Sequence, residues 1–276
     1  MTRQTACKDY SGGIFPWLAV IQVERRYQIV QVAQRGSSSQ VIFARFLEIA
    51  PRTLLREALG DLQAHVAKLR SEDRQRVLGE ARAIVQGGQY IALDTETTGL
   101  KDTDQIVSWA IVGPDGKVLG RGLVKATVPI SESALQTHRI REEHLANAPG
   151  FDAAWAAMEP LLAGKTCLIY GVDFDVRLIQ QTAQAFGVSL AGLDEARCYC
   201  VSEAYAAFRG EPDRKPERRY RRHKLVEACA AQGITLDDAH DAAADARATV
   251  QLVQALAQVA DGEPAVAQGE RVGDDE

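Results

Sequence analysis

The sequence predicts an α/β fold, a mixed sheet flanked by helices, over residues 87–260, and three observations predict it. Tyr90-Ile-Ala-Leu93 is a short apolar run of strand length, set off from what precedes it by Gly87-Gly88. Residues 105–112 and 117–124 are apolar and β-branched stretches around Pro114-Asp-Gly116. That tripeptide reads as a hairpin turn, because Pro presets φ and Gly takes backbone that other residues resist. Beyond the hairpin the period changes: 151–162, 175–186, 224–232 and 241–259 read as helices, with a buried strand at 166–170. Strands alternating with helices build a sheet covered on both faces.

Residues 1–86 read as a separate α+β appendage. Segments 17–24, 27–33 and 40–48 are rich in Val, Ile and aromatics, with Arg35-Gly-Ser-Ser-Ser39 as a turn, which predicts a small β-meander. From Pro51, which suits a first-turn position, Leu55, Leu59, Leu62, Val66 and Leu69 fall on one helical stripe. A second helix is expected from a Ser71 cap to about Val85, stopped by the two glycines. The appendage has no nameable chemistry. Docking to a polymerase or other protein partner, clamping a substrate and scaffolding fit it equally. Residues 261–276 are rich in Gly, Pro and acid and predict a disordered tail.

Composition bounds the function. The 276 residues are 46% hydrophobic and 25% charged, the balance of a soluble globular protein. No apolar run reaches the roughly 18 residues of a membrane span, and the first residues do not read as a signal peptide, so the expected location is cytoplasmic with no membrane partner. Cys7, Cys167, Cys198, Cys200 and Cys229 lack C-x-x-C spacing and read as buried reduced thiols. The net charge of −5 at first argues against a nucleic-acid partner. The last sixteen residues, however, hold six acids against Arg271, so everything before them is formally neutral and a basic groove is compatible with the total.

The chemistry lies in three stretches. Leu93-Asp-Thr-Glu-Thr-Thr-Gly-Leu100 ends an apolar strand on Asp94, with Glu96 two residues on, so a period of two points both carboxylates to one face. Like charges held together call for a divalent cation, although a solvent-facing strand end can also show D-x-E. Thr97, Thr98 and Gly99 then turn the chain with backbone N–H groups free, and Leu100 is placed to meet a base. Cys167-Leu-Ile-Tyr-Gly-Val-Asp-Phe-Asp175 puts Asp175 where a strand gives way to a helix, with Phe174 beside it and Asp173 as a helix cap. His240-Asp-Ala-Ala-Ala-Asp245 opens the last helix, its alanines allowing close approach to the sheet.

In this order and at these separations the three stretches resemble the DEDDh (DnaQ-like) 3′–5′ exonucleases of the ribonuclease H-like superfamily. That group includes the proofreading subunit of bacterial DNA polymerase III, ribonuclease T and oligoribonuclease. The resemblance covers roughly residues 88–260 and extends to Ala134-Leu-Gln-Thr-His138-Arg-Ile140 and Glu143-His-Leu-Ala-Asn-Ala-Pro149. Two departures from the family stand out: Gly171-Val172 stands for Asn-Ala, and Arg139 stands where glycine is common. The resemblance implies two Mg²⁺ or Mn²⁺ ions held by Asp94, Glu96, Asp175 and Asp245, with His240 as general base. It implies release of 5′-mononucleotides from a nucleic acid with a free 3′ end, single-stranded by expectation. Thr97, Thr98, Gly99, Leu100, His138 and Phe174 are its substrate-facing residues. No motif reports on the 2′-OH, so DNA and RNA stand equal. The alternative is a polymerase-associated or nucleic-acid-binding module whose nuclease site is idle.

One stretch lies outside the motifs. Between Arg214 and Lys224, seven of eleven residues are Lys or Arg. A solvated loop would show the same run, but its place between the second and third motifs predicts phosphate contacts from Arg218, Arg219, Arg221 and Arg222, with Tyr220 as a stacking surface.

Overall fold

The computed structural model describes residues 7–11, 13, 15–35, 40–215 and 218–260. The turn expected over 36–39 and the tail expected over 261–276 lie outside the described residues. The chain divides into two compact units, one formed by the residues up to Val77 with Ala206–Arg222, the other by Leu78–Tyr205 with His223–Val259.

The first unit is built on strands β1 (Cys7–Lys8), β2 (Leu18–Val23), β3 (Arg26–Arg35) and β4 (Gln40–Phe46), ordered β1-β4-β3-β2 and antiparallel throughout. The sheet curls: the Tyr10 N–H donates to the Val20 carbonyl at 2.8 Å, and buried Asp9 accepts from the Val20 and Ser11 N–H groups. Alternate residues of β2 go to opposite faces, as a period of two requires. Leu18 and Val20 join a core with Ala58, Leu62 and Val66, and Ala19 and Ile21 join a second cluster with Val30, Val32 and Val41.

Helix α1 (Leu55–Gly87) is one helix of 33 residues, which corrects the expected pair of helices. Ser71 does not cap a new helix, because Ala67–Glu80 contains neither Pro nor Gly before Gly79, and a lone Ser costs only a fraction of a kcal/mol in a helix interior. Pro51 lies before the helix rather than in its first turn. The segment Ala206–Arg222 packs within this same unit. Arg74 donates to the Phe208 carbonyl at 3.1 Å, and Asp73 accepts from Arg219 at 2.7 Å and from the Tyr220 hydroxyl at 2.9 Å.

The second unit is a five-stranded mixed sheet flanked by helices, as the sequence predicts. Its strands are β5 (Tyr90–Thr97), β6 (Ile106–Val112), β7 (Val118–Leu123), β8 (Thr166–Ile169) and β9 (Cys198–Cys200), ordered β7-β6-β5-β8-β9. The β5–β6 and β6–β7 pairs are antiparallel, and β5–β8 and β8–β9 are parallel. Its helices are α2 (Glu132–His138), α3 (Glu142–Leu145), α4 (Phe151–Leu162) and α5 (Val172–Phe186), then α6 (Val201–Arg209), whose residues from Ala206 on belong to the first unit, α7 (Leu225–Ala231) and α8 (Ala242–Gln258). Ile91 and Leu93 of β5 bury one sheet face with Phe151, Trp155 and Met158 of α4 and Leu178 and Ile179 of α5. On the other face Ala110 of β6 meets Ala242 and Ala243 of α8.

The five cysteines are free thiols. Cys167 and Cys229 are buried as expected, whereas Cys7, Cys198 and Cys200 are partly exposed, which corrects that expectation for three of them. No helix among the described residues is long and apolar enough to cross a membrane.

Candidate active site

Strand β5 carries Asp94 and Glu96 on one face, opposite Ala110 and Ser108 of β6. The alanines at the start of α8 have no bulk to hold the helix off the sheet, and this brings Asp245, in its first turn, up to the strand. One oxygen each from Asp94, Glu96 and Asp245 lie within 4.8 Å of one another. Asp245 Oδ2 accepts the His240 backbone N–H at 3.2 Å, while its Oδ1 is buried without a hydrogen-bond partner among the described residues. Asp241, not His240, caps α8, accepting from the Ala243 and Ala244 N–H groups. His240 precedes the cap in left-handed backbone (φ 71°), a conformation open to His more often than to most residues, and its side chain is exposed.

Asp175 arrives by a different route. It lies in the first turn of α5, whose N-cap is Gly171, so the helix begins three residues earlier than expected and Asp173, inside it and exposed, is not the cap. Asp175 Oδ1 accepts the Thr95 hydroxyl at 2.7 Å, a buried bond to the residue between the two strand carboxylates. Asp175 therefore stands outside the mutual group of three but lines the same cleft of about 390 Å³.

Burial dominates the electrostatics. It pushes Asp94 well above the usual carboxyl range, helped by the charges of Asp175, Asp245 and Glu96. Glu96 is pushed up to about 8 by burial and then by Asp245 and Asp175. Asp175 is raised to about 7 by burial, against the pull of the Thr95 hydroxyl, and Asp245 is raised by burial against the His240 N–H. Without a cation, the folded protein holds these groups protonated where the unfolded chain has lost its protons.

A pH dependence with a definite sign results. Below the unfolded carboxyl pKa near 4, both states are protonated and no difference arises. Above it the folded state binds more protons, so unfolding free energy falls as pH rises, until the penalty is complete near the folded value of about 8 for Glu96. Metal-free protein in EDTA is thus expected to melt progressively lower from about pH 4.5 to 8.5. Excess Mn²⁺ should restore the melting temperature most at the alkaline end. A flat EDTA series would show that the carboxylates ionise without strain.

Comparison with known proteins decides the family. The RNase_T (Exonuclease) family matches residues 91–253. A relative from Escherichia phage 186, an uncharacterized exonuclease named CP81, is 39% identical over 173 residues, covering 61% of this chain and 88% of that protein. The chain belongs to the exonuclease family. The DNA polymerase III PolC-type protein of Bacillus cereus is 25% identical over 178 residues, and the match spans 63% of this chain but only 12% of that protein. Among solved structures, the zinc-bound complex of E. coli ExoI with single-stranded DNA aligns at 18% identity and a TM-score of 0.49, over 60% of this chain and 40% of that one. The nuclease domain of 3′hExo bound to rAMP aligns at 13% and 0.49, over 60% and 90%.

In this exonuclease the cleft is also lined by Thr97, Gly99, Leu100, His138, Phe174 and His240. Leu100 is 74% exposed. Thr98 is not in the lining, which corrects its expected substrate contact. It is fully buried, its hydroxyl donates to Asp104 at 2.9 Å, and its N–H, expected to be free, donates to the Gln105 carbonyl at 2.8 Å. A Cβ on Gly99 would stand 2.6 Å from Asp104 Oδ2, so the Thr-Gly pair is shaped around that carboxylate. His138 Nε2 donates to the Thr97 carbonyl at 3.0 Å and its Nδ1 accepts the Ile140 N–H. This doubly used neutral ring, its pKa lowered chiefly by burial, ties α2 to the first motif. Arg139, where the family prefers glycine, is the left-handed C-cap of α2 (φ 60°), the position at which glycine avoids a cost of about 1 kcal/mol.

Arg218, Arg219, Arg221 and Arg222 are not in the cleft lining and fold with the first unit. Tyr220 is buried against Asp73, which corrects its expected stacking role; Arg219 also pairs with Asp73, and Arg221 lies 3.7 Å from Glu211. Sequence reasoning missed Thr95 and Tyr170. Both line the cleft: Thr95, between Asp94 and Glu96, donates its hydroxyl to Asp175, and Tyr170, just after β8, donates its hydroxyl to the His223 carbonyl at 2.7 Å.

Proposed function

We propose that this exonuclease works from the 3′ ends of nucleic acid, releasing 5′-mononucleotides, with Asp94, Glu96, Asp175 and Asp245 holding two Mg²⁺ or Mn²⁺ ions and His240 acting as general base. The observation that carries the reading is the group of three carboxylates, buried Glu96 with half-buried Asp94 and Asp245, in which Asp245 Oδ1 is left without a partner among the described residues. Hard, anionic oxygen donors of this kind suit a hard divalent cation, which offsets the desolvation and mutual repulsion that otherwise keep them protonated. Such ions, when bound, lower the pKa of the attacking water and stabilise the leaving 3′-oxygen.

The remaining steps belong to the chain. The backbone bond from His240 to Asp245 keeps the exposed imidazole beside the carboxylates, where it takes a proton from the attacking water. The Thr95 hydroxyl holds Asp175 toward the cleft. Leu100 and Phe174 supply apolar surface for the terminal bases, and a single-stranded end suits a cleft of this volume. A 5′-labelled single strand incubated with Mn²⁺ should shorten one nucleotide at a time, with 5′-mononucleotides as the product. Internal fragments, or cleavage that survives EDTA, would refute the reading. Binding without any product would favour an idle nuclease site.

A further inference from the structure

We propose that the phosphate backbone of the substrate is held by the first unit, on one cationic surface made where Ala206–Arg222 packs against residues 65–76 of α1. This rests on the proposed function only in taking nucleic acid as the substrate.

The charge of the protein is divided unevenly between its units. The described residues of the first unit hold eighteen Lys and Arg against nine Asp and Glu, a net of +9. The exonuclease unit holds twelve against twenty-one, a net of −9. Duplex nucleic acid carries about one negative charge per 1.7 Å, and its binding draws on counterions released by Lys and Arg. An acidic catalytic unit repels such a polymer beyond the reach of ions in its cleft. The first unit supplies the opposite sign.

Within that unit the cations converge. Residues 65–76 and the described part of 206–222 bring together eleven Lys and Arg and only four acids. The two segments are joined by the Asp73 bonds to Arg219 and Tyr220 and by Arg74, which donates to the Phe208 carbonyl and lies 3.9 Å from the centroid of its ring, and the Arg219 guanidinium is 5.5 Å from the Trp17 ring centroid. Arg219 and Tyr220 are therefore structural clamps. Three of the four acids are paired with cations, Asp73 with Arg219, Glu211 with Arg209 at 2.7 Å and Glu72 with Lys68 at 3.8 Å, and the fourth, Asp213, accepts the Lys215 backbone N–H at 2.9 Å. Arg214, Lys215 and Arg218 are exposed, with no carboxylate in ion-pair range among the described residues. None of the large apolar side chains exposed among the described residues lies in either segment, so the surface lacks the apolar centre of a protein interface. Guanidinium groups around an otherwise polar surface match phosphate oxygens.

The test uses the full-length protein with Arg214→Ser, Lys215→Ser and Arg218→Ser combined, binding a labelled single strand in Ca²⁺ over a salt series. The log–log salt slope should flatten by about 2, at roughly 0.7 per lost contact, and affinity near 0.1 M salt should fall about tenfold or more. An unchanged melting temperature confirms that the clamps remain. Removing three charges from the exonuclease unit, Lys117→Ser, Lys125→Ser and Lys165→Ser, should leave the slope as it was. An unchanged slope in the first variant, or an equal loss in the second, overturns the proposal. So does loss of self-association with strand binding intact, which would assign the surface to the acidic unit of a second copy. Hydrolysis of the p-nitrophenyl ester of thymidine 5′-monophosphate by the unaltered protein tests the active site separately. With a single phosphodiester it does not depend on an extended backbone surface, so its failure bears on the catalytic reading alone.

Discussion

Replacing Asp94 with Ala is expected to abolish turnover while leaving the metal-free protein as stable as before, or more so. Asp94 sits at the centre of the acids, with Asp175, Asp245 and Glu96 all raising its pKa after burial itself. Its removal takes away a ligand from the three-carboxylate group and, at the same time, a source of repulsion within the fold. Losing several kcal/mol of transition-state charge stabilisation, at 1.36 kcal/mol per decade of rate, is a fall of about 10³-fold or more. Rates with Mn²⁺ and thermal melts in EDTA on the same preparation check both halves. An Asp94→Ala protein that turns over at the unaltered rate would remove the carboxylates from the mechanism. One that is active but unfolds early would show that Asp94 serves the fold instead.

His240→Ala should slow the metal-saturated reaction by about 10²- to 10⁴-fold, the usual weight of a general base. The side chain is exposed and makes no core contact, so the fold should be indifferent to its loss. The residue sits in left-handed backbone, which Asn tolerates better than Ala, so His240→Asn serves as a second variant that keeps the local conformation and the N–H bond to Asp245. Both variants should bind Mn²⁺ as the unaltered protein does. A large loss of Mn²⁺ affinity with the saturated rate preserved would make His240 a metal ligand rather than a base.

The catalytic half of the molecule was legible because its signals are local. Asp94 and Glu96 share a face for no other reason than the period of a strand, and the Pro114-Asp-Gly116 turn closes as its residues dictate, with Gly116 at φ 77°. The alanines of His240-Asp-Ala-Ala-Ala-Asp245 announce a close helix–sheet contact, and Ala242 and Ala243 make it against Ala110. Short elements left weaker traces. β9 is three residues long, and α2 and α3 span two turns or fewer, too little for a period to register. At Ser71 the local evidence pointed to a boundary that does not exist, because a good capping residue is also an acceptable helix interior when good helix formers follow it.

By itself, then, the sequence determined the hairpin after the first motif, the facing carboxylates and the place of His240 before the last helix, all properties set by neighbours within a few residues. Only the tertiary structure decided that Asp175 is held by Thr95, eighty residues away, outside the tight group of three. Only it decided that Thr98 turns inward to Asp104, and that the basic run between the second and third motifs folds with the N-terminal unit through Asp73 and Tyr220, 147 residues apart. The physical reason is the same in each case. A buried carboxylate must find a donor, and which donor it finds is settled by packing between distant segments, for which no local period or spacing stands in the sequence.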